Sequence, residues 1–381
     1  MKQVKKMFSV LSVFVVLLWT GIAFSAEPPI KMGLCLSLSG AAAPYGIHMR
    51  NGVEMAVEDI NKAGGINGRM ITIVAEDDAG NPAQASSVMI RLITQHNVDA
   101  ILGGANSTLA FVCKDIAEKE KVPTITTSGS NPRLTTPENK FFFRLHQSDS
   151  MATDIASTFF VQKLGLKKIG IIHDTSDFGI GCKDYFVQGL KKNGVEPVTV
   201  QGFNVGDLDF TPQLLALRQA GAEGMGLFAN LPEASFITRQ ARQLGLGDNF
   251  QIIMTGIAVP RFIELAPGDT EKVYGVGPFV ATMLEPEAVE FVKRYRERYK
   301  MDPSHHSTNS YQAMVALKKA WTSVGTNKEA VAAELKKVKW DAFGQKDNHF
   351  LPTGQGSLMI YIFKVDNGVW RTNDVQVLGS K

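Results

Sequence analysis

The chain has 381 residues, with 40 Lys and Arg against 37 Asp and Glu and a formal charge of +3. That balance leaves no electrostatic footprint for nucleic acid or an anionic membrane surface, and the length suits two domains with real cores. Cys35, Cys113 and Cys182 are an odd set without metal-ligand spacing, so neither a disulfide framework nor a cysteine metal site is expected.

Residues 1–25 read as a secretory signal. Lys2, Lys5 and Lys6 form the basic start, Phe8 to Leu18 the apolar core, and Ala23, Phe24 and Ser25 the cleavage region before Ala26. The apolar run is short and Glu27, Pro28 and Pro29 follow at once, which argues against a membrane anchor. Removing this segment takes away three lysines and no acid, so the alkaline balance belongs to the signal and the exported chain is neutral.

Strands and helices then alternate. Lys31–Ser37 is a strand, followed by a helix to Lys62 whose Val53, Ala56, Val57 and Ile60 recur at helical spacing. Gly64, Gly65 and Gly68 stop it. The β-branched run Ile71 to Val74 reads as a buried parallel strand within Met70–Ala75. Asn81 and Pro82 open a helix to Gln95 by cap and first-turn proline. Strand Val98–Leu102, a helix to Lys119, and strands Val122–Thr126 and Phe141–Leu145 complete this unit. Cys113 falls on the apolar stripe of its helix and is expected to fill core.

A second series follows: helix Asp149–Leu164, strand Lys168–His173, helix Lys183–Lys192, strand Val198–Phe203, and a helix opened by Asp209, Phe210, Thr211 and Pro212. Strand Met225–Phe228, helix Pro232–Leu244 and strand Gln251–Met254 end it. Two helices, Pro286–Tyr299 and Thr308–Ser323, a short one after Thr326, and a hairpin Met359–Val365/Gly368–Arg371 close the chain. Such alternation argues for parallel sheets covered on both faces, and the lack of a long polar linker for closely apposed lobes.

Two loops carry the candidate chemistry. Gly103-Gly104-Ala105-Asn106-Ser107-Thr108 joins a strand to a helix, where unpaired N–H groups and the helix dipole favour an anion; read plainly, it is a glycine turn with Ser107 as N-cap. Thr126-Thr127-Ser128-Gly129-Ser130-Asn131-Pro132 leaves the next strand. Neighbouring strand ends of an open α/β sheet are where ligands bind. Neither loop matches a nucleotide motif. His305-His306 lacks a partner acid, and adjacent histidines face different sides of most backbones, so surface or cleft-edge side chains are expected. Glu76-Asp77-Asp78 reads as a solvated acidic turn. No catalytic residue, metal ligand or cofactor is expected.

Taken in order, Gly52 to Asn81 and the two loops closely resemble the first domain of periplasmic solute-binding proteins of the branched-chain amino acid (Leu/Ile/Val-binding) family; the resemblance runs from Ile30 to Arg371. It implies a type I periplasmic binding protein fold, α/β, with two Rossmann-like α/β/α lobes joined by a three-stranded hinge. Lobe I is then 26–146 plus 280–350 and lobe II 147–279 plus 351–381, with crossings near Leu145–Asp149, Gly275–Phe279 and Leu351–Gly356. By the same resemblance Ser107, Gly129 and Ser130 take the carboxylate positions, flanked by Thr108 and Ser128, and Tyr45 covers the ligand. Phe178, in the loop His173–Gly181, stands where the family carries Tyr, and Phe279 is a further candidate. Gly256 stands where amino-acid binders commonly place an acid for the ammonium; Asp177 and Glu233 are alternatives.

The implied function is capture of a small carboxylate-bearing solute, a branched-chain or other apolar amino acid, for an ABC-type import permease. The protein would be periplasmic, monomeric and not an enzyme. The missing acid leaves open an amine-free aromatic or aliphatic carboxylate, and the fold also serves ligand-sensing receptor modules.

Overall fold

The computed structural model describes residues 27–247 and 249–377, with side chains through 373. The expected signal segment lies outside the described residues.

Strands β1 (Ile30–Leu36), β2 (Ile71–Asp77), β3 (Ala100–Gly103), β4 (Thr124–Thr126) and β5 (Phe142–Arg144) form a parallel sheet in the order β2-β1-β3-β4-β5. Helices α1 (Ala43–Lys62), α2 (Pro82–Thr94) and α3 (Ser107–Glu120) connect them. A second sheet is built from β6 (Ile169–Asp174), β7 (Thr199–Phe203), β8 (Gly224–Phe228), β9 (Gln251–Thr255) and β10 (Val273–Gly277). Its helices are α4 (Asp149–Thr158), α5 (Asp177–Lys192), α6 (Thr211–Gln219), α7 (Leu231–Gln243) and α8 (Pro260–Leu265). These five strands run β7-β6-β8-β9-β10, which repeats the order of the first sheet. Central strands such as β3 and β8 are buried along their whole length, whereas edge strands β2 and β7 mix buried and exposed positions. Burial on both faces is what a parallel sheet between helices requires.

The remaining chain supplies α9 (Pro286–Tyr299), α10 (His305–Val324), α11 (Lys328–Leu335) and the small hairpin β11 (Lys339–Ala342)/β12 (Gln345–His349). Then β13 (Ile360–Asp366) and β14 (Val369–Val377) extend the second sheet antiparallel beside β10. Helix α10 lies along α1. A Cβ on Gly52 would stand 2.1 Å from the Ser307 carbonyl oxygen, so only glycine permits this approach. Tyr295 on α9 reinforces it, its hydroxyl contacting His48 Nδ1 at 2.8 Å and accepting from Asn51 Nδ2 at 3.0 Å.

Departures from the sequence expectation cluster at helix starts. Helix α5 begins at Asp177, because the Ser176 hydroxyl accepts from the Gly179 N–H and caps it; Gly179 and Gly181 had disguised the helical pattern. Helix α10 begins at His305, one turn before the apolar stripe becomes regular. Helix α4 ends at Thr158 and passes into a π turn over Phe159–Lys163. Strand β10 and the β11/β12 hairpin were not anticipated. Asp78 is buried rather than solvated: it accepts from the Ser37 hydroxyl and the Gly80 N–H and holds the turn after β2. All three cysteines are buried thiols, Cys113 in the first core as expected.

Two connections between the sheets run side by side. The Arg144 N–H donates to Gly354 O at 2.9 Å and the Gly356 N–H to Arg144 O at 2.7 Å. The middle connection begins after Gly277, where β10 ends.

Candidate functional site

The carboxyl ends of both sheets face one shared space. Tyr45 reaches it from α1, after β1; Ala105, Asn106 and Ser107 follow β3, and Ser128 and Ser130 follow β4. From the second sheet come Phe178 after β6, Asn230 after β8, and Gly256 and Ile257 after β9. The two halves therefore contribute from equivalent stations of one strand order, where open α/β sheets place ligands. The space is only about 30 Å³, far below the roughly 300–1,000 Å³ usual for small-molecule sites, so a solute enters only when the two halves part. Among its described lining residues none is Asp, Glu, Lys or Arg.

The two serine turns converge. Asn106, not Ser107, caps α3, its side chain accepting from the Leu109 N–H at 3.0 Å. Ser107 is then the first helical residue, and its hydroxyl accepts from the N–H groups of Ser130 and Asn131, each at 3.2 Å. An oxygen that accepts twice still has its own proton to donate, and the first N–H groups of α3 have no intrahelical acceptor. Ser128 differs: its proton is committed to Ala105 O at 2.7 Å. Arg144 braces the second turn from behind, donating to Ser130 O at 2.8 Å and Asn131 O at 2.6 Å. Burial lowers its guanidinium to about 10, partly offset by Asp149. Asp149 is itself buried, and desolvation pushes its carboxyl up to about 6 against the opposing pull of Ser130, Cys182 and Arg144.

Contacts across the space hold it shut. The Tyr45 hydroxyl accepts from the Leu231 N–H at 2.8 Å, Thr108 donates to Asp177 Oδ2 at 3.1 Å, and Asn131 Nδ2 donates to Asp177 O at 2.7 Å. On the second-sheet side, Asp174 accepts from the backbone and side chain of Asn230 at 3.1 and 3.0 Å, fixing that residue's direction.

Of the residues singled out from sequence, Tyr45, Ser107, Ser128, Ser130, Phe178 and Gly256 line the space. Three do not. Thr108 is a latch to Asp177. Gly129 is packed against Ala110 and Leu134, where a Cβ would come within 2.6 Å and 2.9 Å, and its N–H goes to Thr126 Oγ1. Phe279 stacks 6.1 Å from Phe343 in the core. Neither alternative acid reaches the space: Asp177 is engaged with Thr108 and Arg133, and Glu233 accepts from the Gly206 N–H at 2.9 Å. Gly256 has φ +71, and a Cβ there would meet Gln147 and His146 at 3.8 Å and Phe178 at 3.9 Å, ordinary contact distances.

Sequence reasoning missed a histidine wall. His146, in the connection after β5, and His305 and His306, at the start of α10, are all buried. The rings of His305 and His306 lie with centroids 4.1 Å apart, and His146 stands 5.2 and 5.7 Å from them. The expected surface or cleft-edge pair is therefore corrected: with helical backbone from the first residue of α10, the adjacent rings turn inward together. His146 and His306 face the space. Burial and the neighbouring imidazoles hold all three well below the usual histidine range, so they are neutral. The only sequence signal was the doublet itself.

Two α/β halves of one strand order, closed over a small cavity at their carboxyl ends, define a binding protein that encloses its ligand. The family model for periplasmic binding proteins matches residues 29–369, and the chain belongs to that family. The amino acid binding protein of Pseudomonas aeruginosa is 29% identical over 337 residues, covering 85% of this chain and 89% of its own. The branched-chain amino acid transporter substrate binding protein LivJ from Streptococcus pneumoniae, solved in complex with isoleucine, has a TM-score of 0.85. It is 26% identical, over 92% of this chain and 100% of its own. A solute binding protein of an ABC transporter from Rhodopseudomonas palustris, in complex with 3,4-dihydroxy benzoic acid, shares the fold. Its TM-score is 0.82 at 20% identity, over 92% and 96% of the two chains. Among the described residues no helix is long and apolar enough to cross a membrane.

Proposed function

We propose that this protein is the exported solute-binding component of an ABC-type importer, working in the periplasm, and that it captures a small carboxylate-bearing solute. The carrying observation is the convergence of the Ser107 and Ser130 turns on one shared cleft, with the Ser107 proton and the first two N–H groups of α3 left to donate. The carboxylate docks there on lobe I (26–146 plus 280–350). Lobe II (147–279 plus 351–381) closes over it with Phe178 and Ile257, and the Tyr45–Leu231 contact forms on closure. Closure expels water and strengthens each polar contact, and the permease reads the closed form.

A branched-chain or other apolar amino acid is the first ligand class, supported by the amino-acid-binding relatives. The absence of any acid from the described lining favours a second, an amine-free aromatic or aliphatic carboxylate, because a buried ammonium without a partner is costly.

Calorimetry on the mature chain, with leucine, isoleucine and valine beside benzoate and short aliphatic acids, separates the two. One-site binding of the amino acids is expected, weakened about tenfold or more in Ser107→Ala, the loss of one hydrogen bond to a charged group. A response to amine-free acids alone moves the ligand to the second class. No binding of any carboxylate would sink the reading.

A further inference from the structure

The geometry points to a metal site on the inner wall of the cleft: His146, His305 and His306 hold a divalent transition-metal ion, and the carboxylate-bearing solute binds as a chelate of that ion. This deepens the proposed function and rests on it for the identity of the solute.

One ring nitrogen from each histidine lies within 4.8 Å of those of the other two. Tetrahedral Zn²⁺ with bonds of about 2.0–2.1 Å needs such nitrogens roughly 3.4 Å apart. A spacing of up to 4.8 Å exceeds that, so the three rings would draw together on the ion. The protonation pattern also fits. His146 Nδ1 faces Gln147 O at 3.1 Å and His306 Nδ1 faces Thr127 O at 3.4 Å. A carbonyl can only accept, so each Nδ1 carries the proton and each Nε2 the lone pair. A backbone carbonyl that fixes the tautomer in this way is the usual companion of a metal-bound imidazole. Both Nε2 atoms are buried without a partner, and His305 is turned only to the Gly256 backbone. A purely structural histidine at such depth would have its nitrogens satisfied. Gln147, next to His146, and Asn309, one turn along α10 from His305, also hold unpartnered side-chain atoms that can take a metal-bound water.

Three imidazoles leave the side toward the cavity, which His146 and His306 line, for a water in the free protein or for the amine nitrogen and one carboxylate oxygen of a chelating solute, with the ion then five-coordinate. His305 and His306 are the first residues of α10, and a helix N-terminus disfavours a bare cation. A carboxylate on the ion offsets that penalty, so ion and anion bind together better than either alone. The same arrangement removes the difficulty at Gly256. When an amino acid chelates through nitrogen and carboxylate oxygen, its ammonium first releases one proton to solvent. The neutral amine then donates its lone pair to the ion, and no acidic partner is needed. Imidazole donors without carboxylate select Zn²⁺, Ni²⁺ or Cu²⁺ over Mg²⁺ or Ca²⁺.

The test uses the untagged mature chain, stripped with EDTA and dialysed, titrated with leucine and benzoate in the presence and absence of ZnCl₂. Zn²⁺ is expected to bind at one per chain and to tighten leucine by at least about tenfold, with proton release seen as a dependence of heat on buffer ionisation. Co²⁺ in place of Zn²⁺ should show the visible absorption of a four-coordinate ion before leucine is added, and a weaker five-coordinate spectrum after it. His305→Gln and His306→Gln, checked for folding by circular dichroism, should each weaken Zn²⁺ at least about tenfold, the loss that even an outer hydrogen-bond partner carries. Leucine bound equally with and without Zn²⁺ overturns the metal site and leaves the import reading standing. Zn²⁺ bound equally by wild type and both variants places the ion elsewhere and overturns it too. If no carboxylate binds in any condition, both readings fall.

Discussion

The two sheets share one strand order and offer their loops at equivalent stations, yet the loops differ in kind. On the first sheet they are short and polar, and they are tied to one another: Ser107 holds the Ser130 and Asn131 N–H groups, and Arg144 holds their carbonyls from behind. On the second sheet they bring Phe178, Gly256 and Ile257, and the one polar group, Asn230, is fixed by Asp174 rather than by its neighbours in the cavity. On the proposed function, one wall takes a charged headgroup and the other covers it.

Arg144 is where this contrast breaks most easily. Arg144→Leu removes charged donors from Ser130 O, Asn131 O, Thr135 Oγ1 and Gln355 Oε1 and takes the cation from Asp149. A loss of at least about 3 kcal/mol is expected, given roughly 1.5–3 kcal/mol for each hydrogen bond to a charged group and incomplete additivity. Urea denaturation would register it, together with weaker carboxylate binding. A melting profile unchanged from wild type would mean that the brace is ornamental.

Asp149 sharpens the comparison through pH. Its folded value of about 6 lies above the 3.8 of a free carboxyl. Between those values the native chain holds a proton that the unfolded chain lacks, so this group's contribution to stability rises as pH falls through the window. Above pH 6 its burial as a charge opposes folding by on the order of 3 kcal/mol. Asp149→Asn should therefore raise the melting temperature at pH 7.5, with the gain shrinking toward pH 4. A gain that stays constant with pH would point to packing instead.

The smallest effect is expected where the walls meet. Tyr45→Phe keeps the ring over the cavity and loses only the acceptor for the Leu231 N–H. About 1 kcal/mol is the ordinary worth of such a bond, so severalfold weaker ligand binding should appear, mostly as faster dissociation in stopped-flow measurements. An unchanged dissociation rate would show that the contact takes no part in holding the cleft shut.

Much of this architecture was readable in the linear chain. Asn81 and Pro82 announce α2 and the structure caps it there, with the Asn81 side chain accepting from Ala83 and Gln84. The β-branched runs mark strands, and the small, hydroxyl-bearing turns at Ser107 and Ser130 follow two of them. These are local signals, set by backbone conformation and periodicity within a few residues. The histidine wall is another kind of feature. His146 leaves the end of one sheet, whereas His305 and His306 arrive on a helix about 160 positions later, brought in by the close approach of α10 to α1 at Gly52. No window of sequence contains that meeting. Local patterning determined which elements form and where the two hydroxyl-bearing turns lie; the packing of distant helices alone decided that three imidazoles share one buried wall, because contact between remote side chains depends on how whole elements dock.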